Sequence, residues 1–322
     1  MAKALPIEEQ VLALNKVRAD PKSDATRDVL KKALSGKSNL LAGKAAELAS
    51  ELQLALLLPD LHKSFSRFFD DPDKGCVAKT SIARAMEALD GNDEALFLRG
   101  IRHVQLEGAW GGSSDVAVDL RAACARAMAR LNTIRTLPAL TDLLGDAQAP
   151  ARAAAAQSIG HCGRPEGALP LRLKIRIGDA EPAVIAECFA SLLQLLGAGA
   201  IELIEPFLDH LQPELRDAAA TTLGESKLPE AFALLRARFD REITSDGRRA
   251  LLFGIALTRH PQSIDFLLNV IDEEPTPSAV HAVEALAIYR NDAPASTRIG
   301  TVVEARRDDT VLRAFQKRFP SP

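Results

Sequence analysis

The hydrophobic and polar residues of this chain follow one pattern that recurs about every 32 residues. Each copy starts with an aliphatic or small residue, often followed by Arg, and places apolar residues at offsets 0, 3, 4, 7 and 8 from it. That spacing is typical of one face of an α-helix. The clearest copies are 31, 33, 31 and 32 residues apart and start at Leu120, Ala151, Val184, Leu215 and Gly247. A weaker copy starts at Ala279, and degenerate copies lie near Val77 and Leu41.

A second apolar segment precedes each of the regular helices. These segments are 137–144, 169–177, 201–208, 232–239 and 264–271. Turn residues such as Gly145 and Asp146 separate the two segments, and Pro150 then suits the first turn of a helix, where its missing N–H has no partner. Each pair of segments therefore predicts a helix hairpin. Because one hairpin cannot bury its alanine-rich face alone, we expect an all-α fold, an α-solenoid (superhelix) of stacked antiparallel helix hairpins.

The run 140–146 followed by 151–160, Leu-Thr-Asp-Leu-Leu-Gly-Asp and then Ala-Arg-Ala-Ala-Ala-Ala-Gln-Ser-Ile-Gly, closely resembles the HEAT repeat. It is similar to the short bacterial form found in phycobilin-lyase-type proteins. The resemblance implies a HEAT/armadillo-like architecture and carries little information on function. It extends well over 115–290, loosely over 40–105 and hardly over the remainder.

The repeat pattern predicts four segments along the chain. They are capping helices in 1–38, degenerate HEAT-like hairpins in 39–114, regular repeats in 115–290 and capping helices in 291–322. Within these we expect opening helices over 6–19 and 25–34, a long helix over 39–57 that ends before Pro59, and closing helices over 296–306 and 309–319. The glycine-rich stretch 108–115 predicts a long irregular loop.

Composition narrows the functional classes. With 47% hydrophobic and 4% aromatic residues, the chain should fold around an aliphatic core. Its longest apolar run, 250–257, is far shorter than the roughly 20 residues of a membrane-spanning helix, so none is expected. The amino terminus becomes acidic where a secretory signal needs apolar residues, which favours a cytoplasmic location. The 40 basic and 43 acidic residues give no long-range attraction to phosphate, which argues against nucleic acid as the main ligand.

No constellation of residues indicates catalysis or metal binding. The sequence has four cysteines and no Cys-x-x-Cys pair, and we interpret the cysteines as small core residues. They are Cys76, Cys124, Cys162 and Cys188. His103 with Glu107 and His281 with Glu284 have helical spacing, but two isolated pairs do not enclose an ion. P-loop, Gly-x-Ser-x-Gly and Gly-x-Gly-x-x-Gly motifs are missing from the sequence. We therefore expect no cofactor, no metal and no catalytic residue.

Four arginines share one offset of the repeat, and acidic residues lie in the preceding loops. They are Arg121, Arg152, Arg216 and Arg248, with Asp146 and Asp179. One interpretation is a row of positive charge for an anionic partner. The other, which we favour because the resemblance to HEAT proteins implies it, is a structural ladder in which each Arg binds loop carbonyls or carboxylates.

The resemblance also implies that the second helix of each hairpin lines a concave side. Residues at offsets 6 and 10 should face outward there and grade from basic to apolar along the chain. The candidate partner-binding residues are Arg126, Arg130, Gln157, His161, Gln194, Glu225, Phe253, Leu257 and Tyr289. The apolar end suits an amphipathic helix or extended peptide, unless the carboxyl-terminal helices cover it.

Trp110, the only Trp, is a further candidate. It either projects outward as an interface anchor or folds back to fill the junction between degenerate and regular repeats. We favour the second arrangement, because a large indole is more often buried.

The predicted function is a non-enzymatic scaffold that binds a protein or peptide on its concave face. The alternative is a lyase- or chaperone-like HEAT protein acting on a modified protein, which predicts a deep pocket with convergent polar groups. A third class, nucleic-acid binding, predicts a continuous strip of Lys and Arg.

Overall fold

The computed structural model describes residues 7–320, so Pro6, the first residue of the predicted opening helix, lies outside it. The chain divides into two compact units, Met1–Cys162 and Gly163–Pro322. The four segments predicted from the repeats remain a prediction, and the boundary between the units falls inside the regular repeats.

The first unit contains nine α-helices and one β-hairpin within its described part. Its elements are α1 (Ile7–Asn15), α2 (Asp24–Ser35), α3 (Asn39–Glu51), α4 (Leu58–Arg67), α5 (Val77–Ala88), α6 (Glu94–Ile101), β1 (Leu106–Ala109), β2 (Gly112–Asp115), α7 (Val118–Leu131), α8 (Thr136–Leu143) and α9 (Ala149–His161).

Ten α-helices form the described part of the second unit. They are α10 (Ala168–Ile177), α11 (Pro182–Leu196), α12 (Ile201–Ile204), α13 (Pro213–Glu225), α14 (Pro229–Phe239), α15 (Ser245–Thr258), α16 (Ser263–Glu273), α17 (Thr276–Leu286), α18 (Ala293–Arg306) and α19 (Asp309–Arg318). The all-α, α-solenoid class predicted from the repeat is confirmed.

Consecutive second helices of the hairpins pack side by side within each unit. We call these rows the B rows: α3, α5, α7 and α9 in the first unit, and α11, α13, α15, α17 and α19 in the second. Their contact faces are small and aliphatic, as at Ala219 and Leu223, which are fully buried. Proline in the first turn or an N-cap such as Thr244 of α15 starts most of these helices.

The closest approach in the second B row is between α13 and α15. A Cβ added at Gly224 would lie 2.3 Å from the carbonyl oxygen of Gly254, and one added at Gly254 would lie 2.5 Å from that of Ala220. The two backbones therefore touch, and only glycine fits at the crossing.

Two local predictions are wrong. The helix expected over 39–57 ends at Glu51, because Gln53 takes a left-handed conformation with φ 54°, and Pro59 lies in the first turn of the next helix, α4. The stretch 108–115 is not an irregular loop but part of the hairpin β1–β2, in which Leu106 pairs with Asp115 and Ala109 with Gly112.

One stretch contradicts the expectation that no helix could cross a membrane. Pro182–Asp209 is long and apolar enough to do so by length and composition alone. In the structure α11 ends at Leu196, the next residue, Gly197, has φ 55°, and short 3₁₀ turns flank α12. Ile185, Phe189 and Leu192 of this stretch are buried in the second unit.

Candidate protein-binding surfaces

The basic candidates of the first B row are engaged in contacts within the unit. Arg126 lies 3.5 Å from Glu87, whose pKa is raised because burial outweighs the attraction of that arginine. Arg130 donates to the carbonyl of Gly91 and lies 3.4 Å from Asp90. These two arginines are therefore largely compensated, whereas Gln157 and His161 on α9 are exposed.

The polar candidates of the second B row line a small depression. Gln194 of α11 and Glu225 of α13 are exposed and border a cavity of about 270 Å³ together with Thr222 and Leu228. The cavity is shallow, and Glu225 forms no ion pair within residues 7–320.

A larger depression surrounds Phe253 on α15. It has a volume of about 500 Å³, and we call it the Phe253 cavity. Phe253 is 39% exposed, and Ala285 and Ile288 continue the apolar surface. Leu257 is half-buried, and Tyr289 is half-buried with its hydroxyl donating to the carbonyl of Ala256 at 3.1 Å. Burial raises the pKa of that Tyr289 phenol.

Cations converge on the Phe253 cavity. Three arginines line it: Arg249, Arg290 and Arg318. Arg249 pairs with Asp217 at 2.7 Å, and Arg318 pairs with Glu284 at 2.8 Å. Arg290 forms no ion pair with any residue in 7–320. The three arginines therefore outnumber the one acidic residue that lines the cavity, Glu284.

His281 lies at the same cavity between two other polar groups. Its Nε2 atom is 3.1 Å from the hydroxyl of Ser245, and its Nδ1 atom is 3.8 Å from the carboxylate of Glu284. The hydrogen bond from Arg318 holds the pKa of Glu284 below its usual range. An imidazole between a hydroxyl and an ionised carboxylate can accept or donate a proton.

The carboxyl-terminal helices do not cover Phe253. Helix α19 packs on α17, where Val311 and Phe319 are buried, and contributes Arg318 to the wall of the cavity. Of the two arrangements that the sequence allows, covered and exposed, the structure has the exposed one.

Trp110 is fully exposed at the tip of the β-hairpin. The favoured interpretation, that it fills a junction between repeats, is not what the structure shows. Trp110 and Gly111 form the two-residue turn between the strands, and Gly111 has φ 90°, a conformation that glycine readily adopts. Two more exposed apolar residues, Val104 and Leu106, alternate with Gln105 ahead of the tip.

Buried polar groups hold the base of this hairpin. Gln105 accepts a hydrogen bond from the ammonium of Lys79 at 2.7 Å and donates to Glu107 at 2.7 Å. Glu107 also accepts from the backbone N–H of Gly75 at 2.7 Å, the main reason that its pKa is lowered. The side chains of Lys79 and Asp73 are almost completely buried, 3.8 Å apart. The exposed tip therefore rises from a fixed base.

The arginines at the shared offset bind loops. Arg121 is buried and pairs with Asp115 at 2.7 Å and with Asp146 at 2.9 Å. Arg152 donates to the carbonyls of Asp146 and Ala147. The remaining contacts of the set are Arg216 to the carbonyl of His210, Arg248 to that of Glu242 and to Glu274, and Asp179 to Lys174.

The four cysteines are buried. Burial raises the pKa of the Cys76 thiol to about 11 and that of Cys188 to about 12. Across residues 7–320, no group of three or more His, Cys, Asp or Glu side chains is placed to hold a metal ion.

The sequence reasoning missed the residues that surround Phe253. Arg249, His281 and Glu284 lie at offsets other than 6 and 10 of their copies, and Arg318 comes from outside the regular repeats. The helical spacing of His281 and Glu284 is the one signal of this cavity in the sequence, and by itself it points only to metal binding.

Residues 120–146 match the family model of the PBS lyase HEAT-like repeat. The resemblance to HEAT repeats of this type, inferred from the sequence, is therefore confirmed for α7, α8 and the loop that follows α8. A search of the curated proteins found no match.

Several solved structures are similar to the chain. The complex of CpcE and CpcF of phycocyanin lyase from Nostoc sp. PCC7120 is 15% identical, over 95% of this chain and 99% of that chain, with a TM-score of 0.38. Human deoxyhypusine hydroxylase in complex with glycerol is 19% identical, over 80% and 92%, with a TM-score of 0.32.

A homology model of the full-length AP-3 complex in an intermediate open conformation is 14% identical, over 94% of this chain and 52% of that chain, with a TM-score of 0.52. At this identity the similarity concerns the fold alone.

The prediction that the protein is not an enzyme is wrong. It rested on the missing motifs, but the repeat model that matches residues 120–146 is the one described for PBS lyases. A repeat scaffold without a recognisable catalytic motif does not exclude a lyase.

Proposed function

We propose that the protein binds a segment of another protein on the B row of its second unit. The observation that carries this proposal is the Phe253 cavity, where an exposed aromatic ring lies among three arginines in an open depression of about 500 Å³. Aromatic and arginine side chains are the types enriched among residues that dominate binding energy at interfaces.

The chemistry of the cavity defines the segment that fits. An apolar side chain of the partner covers Phe253 and Ile288, and a neighbouring carboxylate meets Arg290, whose charge has no partner in residues 7–320. Arg249 and Arg318 are already paired, so they add directionality more than net attraction. The proposed ligand is thus an acidic segment with an apolar residue beside the acidic one.

Affinity capture with matched variants tests this proposal. Phe253→Ser and, separately, Arg290→Glu should each lose the proteins that the wild type captures, because they remove the apolar contact and reverse the free charge. Leu211→Ser is the control, because Leu211 is an exposed aliphatic residue of the same unit outside the cavity. If all three variants stay folded by circular dichroism and capture the wild-type set, the proposal is wrong.

A lyase-like action on the bound protein is a second candidate. Two observations support it. Residues 120–146 match the PBS lyase repeat, and His281 lies between Ser245 and Glu284 at the edge of the cavity. Addition to or elimination from a protein-bound group needs a proton-transfer residue, which contributes about 10²- to 10⁴-fold in rate.

The two candidates separate with His281→Gln. The substitution should leave capture of the partner unchanged while slowing any change that the protein causes in the visible absorption of phycocyanin. A wild type that causes no such change, with phycocyanin or with its captured partner, would exclude the lyase-like role and leave the binding role in place.

A further inference from the structure

Helix α10 exposes an apolar stripe on the side away from its own hairpin. Leu169, Leu173 and Ile177 are 68%, 61% and 70% exposed, and they lie four residues apart, on one helical face. Only Ala168 and Leu171 of this helix are buried. One repeat earlier, the corresponding Leu137 is buried.

A groove runs beside the stripe because the first helix of the next hairpin is irregular. Helix α12 has only four residues, and the 3₁₀ segment 205–209 with Pro206 follows it, so α10 packs on α11 but has no regular first helix of the next hairpin beside it within residues 7–320. The groove has a volume of about 550 Å³. Leu203 and Phe207 form its far side, opposite Leu173 and Ile177. We call it the α10 groove.

Two arginines on the rim of the α10 groove have free charges. Arg172 and Arg176 are exposed, one helical turn apart, and neither forms a side-chain hydrogen bond or an ion pair with any residue in 7–320. Lys174, by contrast, pairs with the buried Asp179 at 2.7 Å, and Asp179 is the acidic residue that lines the groove. The groove thus combines an apolar wall with an uncompensated positive pair.

From these features we infer that the α10 groove binds an amphipathic helix of a partner protein that carries two carboxylates one turn apart beside an apolar stripe. Residues i and i+4 of such a helix are separated by about 6 Å along its axis, which matches the spacing of Arg172 and Arg176 on α10. Charge-assisted hydrogen bonds from the arginines fix the register, and the leucines and Ile177 supply the apolar contact. This site is separate from the Phe253 cavity.

Selection from a random library of displayed 16-residue helical peptides tests the inference. The full-length wild type serves as bait, and the double variant Arg172→Glu with Arg176→Glu serves as the counter-selection. The enriched peptides should carry Asp or Glu at positions i and i+4 next to Leu, Ile or Phe. Their Kd for the double variant, measured by fluorescence anisotropy, should be at least tenfold weaker than for the wild type.

A charge swap and two controls complete the test. Replacing the paired carboxylates of the best peptide by Lys should abolish binding to the wild type and restore it to the double variant. Arg241→Glu with Arg307→Glu reverses two exposed arginines elsewhere in the second unit and should leave the Kd unchanged. Leu173→Ser should weaken binding, because it removes part of the apolar wall while leaving every charge of the groove unchanged.

The inference fails if the enriched peptides lack the acidic pair, or if they bind the double variant as tightly as the wild type. Phe253→Ser should not affect this binding. If Phe253→Ser abolished peptide binding and the double variant Arg172→Glu with Arg176→Glu had no effect, the peptides would bind in the Phe253 cavity instead.

Discussion

Trp110 and Arg121 lie close in sequence but have opposite environments. The Trp110 indole is not buried against the rest of the protein, because the hairpin turn places it wholly in solvent. The Arg121 guanidinium is buried and holds two carboxylates, of Asp115 at the hairpin base and Asp146 in the next loop. A substitution at the first position should therefore leave stability unchanged, and one at the second position should lower it.

Replacing Trp110 with Ser should leave the free energy of unfolding within about 0.5 kcal/mol of the wild type, because no buried contact is lost. Urea denaturation followed by circular dichroism measures it. The fluorescence of the native wild type should match that of the urea-unfolded chain, since Trp110 is the only Trp. A blue-shifted native emission would show that the indole is buried.

Replacing Arg121 with Met should lower the free energy of unfolding by about 3 kcal/mol or more, because two nearly buried carboxylates lose their counter-charge. Although its burial acts to raise it, the pKa of Asp115 is lowered by hydrogen bonds from Arg121 and backbone N–H groups. The matched control is Arg84→Met, whose pair with Asp119 is exposed and should cost less than about 1 kcal/mol. Equal effects in the two variants would contradict this prediction.

At the scale of elements, the B row of the second unit depends on the crossing of α13 and α15. Glycine inside a helix costs backbone entropy relative to alanine, so two glycines facing each other need a compensating contact. Here the compensation is direct backbone contact at Gly224 and Gly254. Helix propensity and packing therefore oppose each other at this crossing, and packing should prevail.

Gly254→Ala should destabilise the protein by about 1 to 3 kcal/mol, because the added methyl group lies 2.5 Å from the backbone oxygen of Ala220. Gly199→Ala is the control, since its added Cβ would meet only Leu196, at an ordinary 3.9 Å. The urea midpoints of the two variants measure the difference. A Gly254→Ala variant more stable than the wild type would show that the helices do not touch there.

The docking of α19 should depend on pH. The pKa of Glu284 is lowered by its hydrogen bond from Arg318, and that of Asp308 is lowered by its hydrogen bond from Thr276. A lowered carboxyl pKa contributes stability above the unfolded value, about 4, and loses it as the pH falls further. Both partners of the Arg318 pair are more than a third exposed, so the effect is modest.

Comparing the wild type with Arg318→Met measures this dependence. The variant should be less stable by less than about 1 kcal/mol at pH 7, and the two proteins should converge as the pH falls through the lowered pKa of Glu284, because its carboxyl is then protonated in both. A gap that widens on acidification would contradict the sign of the Glu284 shift.

The sequence predicted the helices far better than the sites, for a physical reason. Apolar spacing at offsets 0, 3, 4, 7 and 8 reports burial directly, so α7, α9 and α13 could be located from it. The hairpin has no such alternation around Gly108 and Gly111, and residues far away in sequence, such as Lys79 and Gly75, hold it. The Phe253 cavity likewise joins side chains from three helices.

At the scale of the whole molecule, charge is balanced and locally mixed. Many of the 40 basic and 43 acidic residues form ion pairs within their own unit, such as Arg84 with Asp119 and Arg298 with Asp265. Arg172, Arg176 and Arg290, which form no ion pair within residues 7–320, lie at the rims of two separate depressions. This distribution favours recognition of defined acidic segments over attraction to a polyanion.

The protein should therefore not be retained on immobilised DNA or RNA at about 100 mM salt, because its 40 basic residues are outnumbered by 43 acidic ones and many are held in ion pairs. Chromatography across a salt gradient measures this. Retention that weakens steeply with salt would contradict it and would support the nucleic-acid alternative.

The hairpin at Trp110 has a consequence for any partner of the first unit. Similar repeats offer a bound chain several related positions, each displaced by one hairpin. The exposed indole of Trp110, on its fixed base, distinguishes one of these positions from the others. A partner that grips Trp110 is thereby prevented from sliding to the next position, whatever the repeats alone would allow.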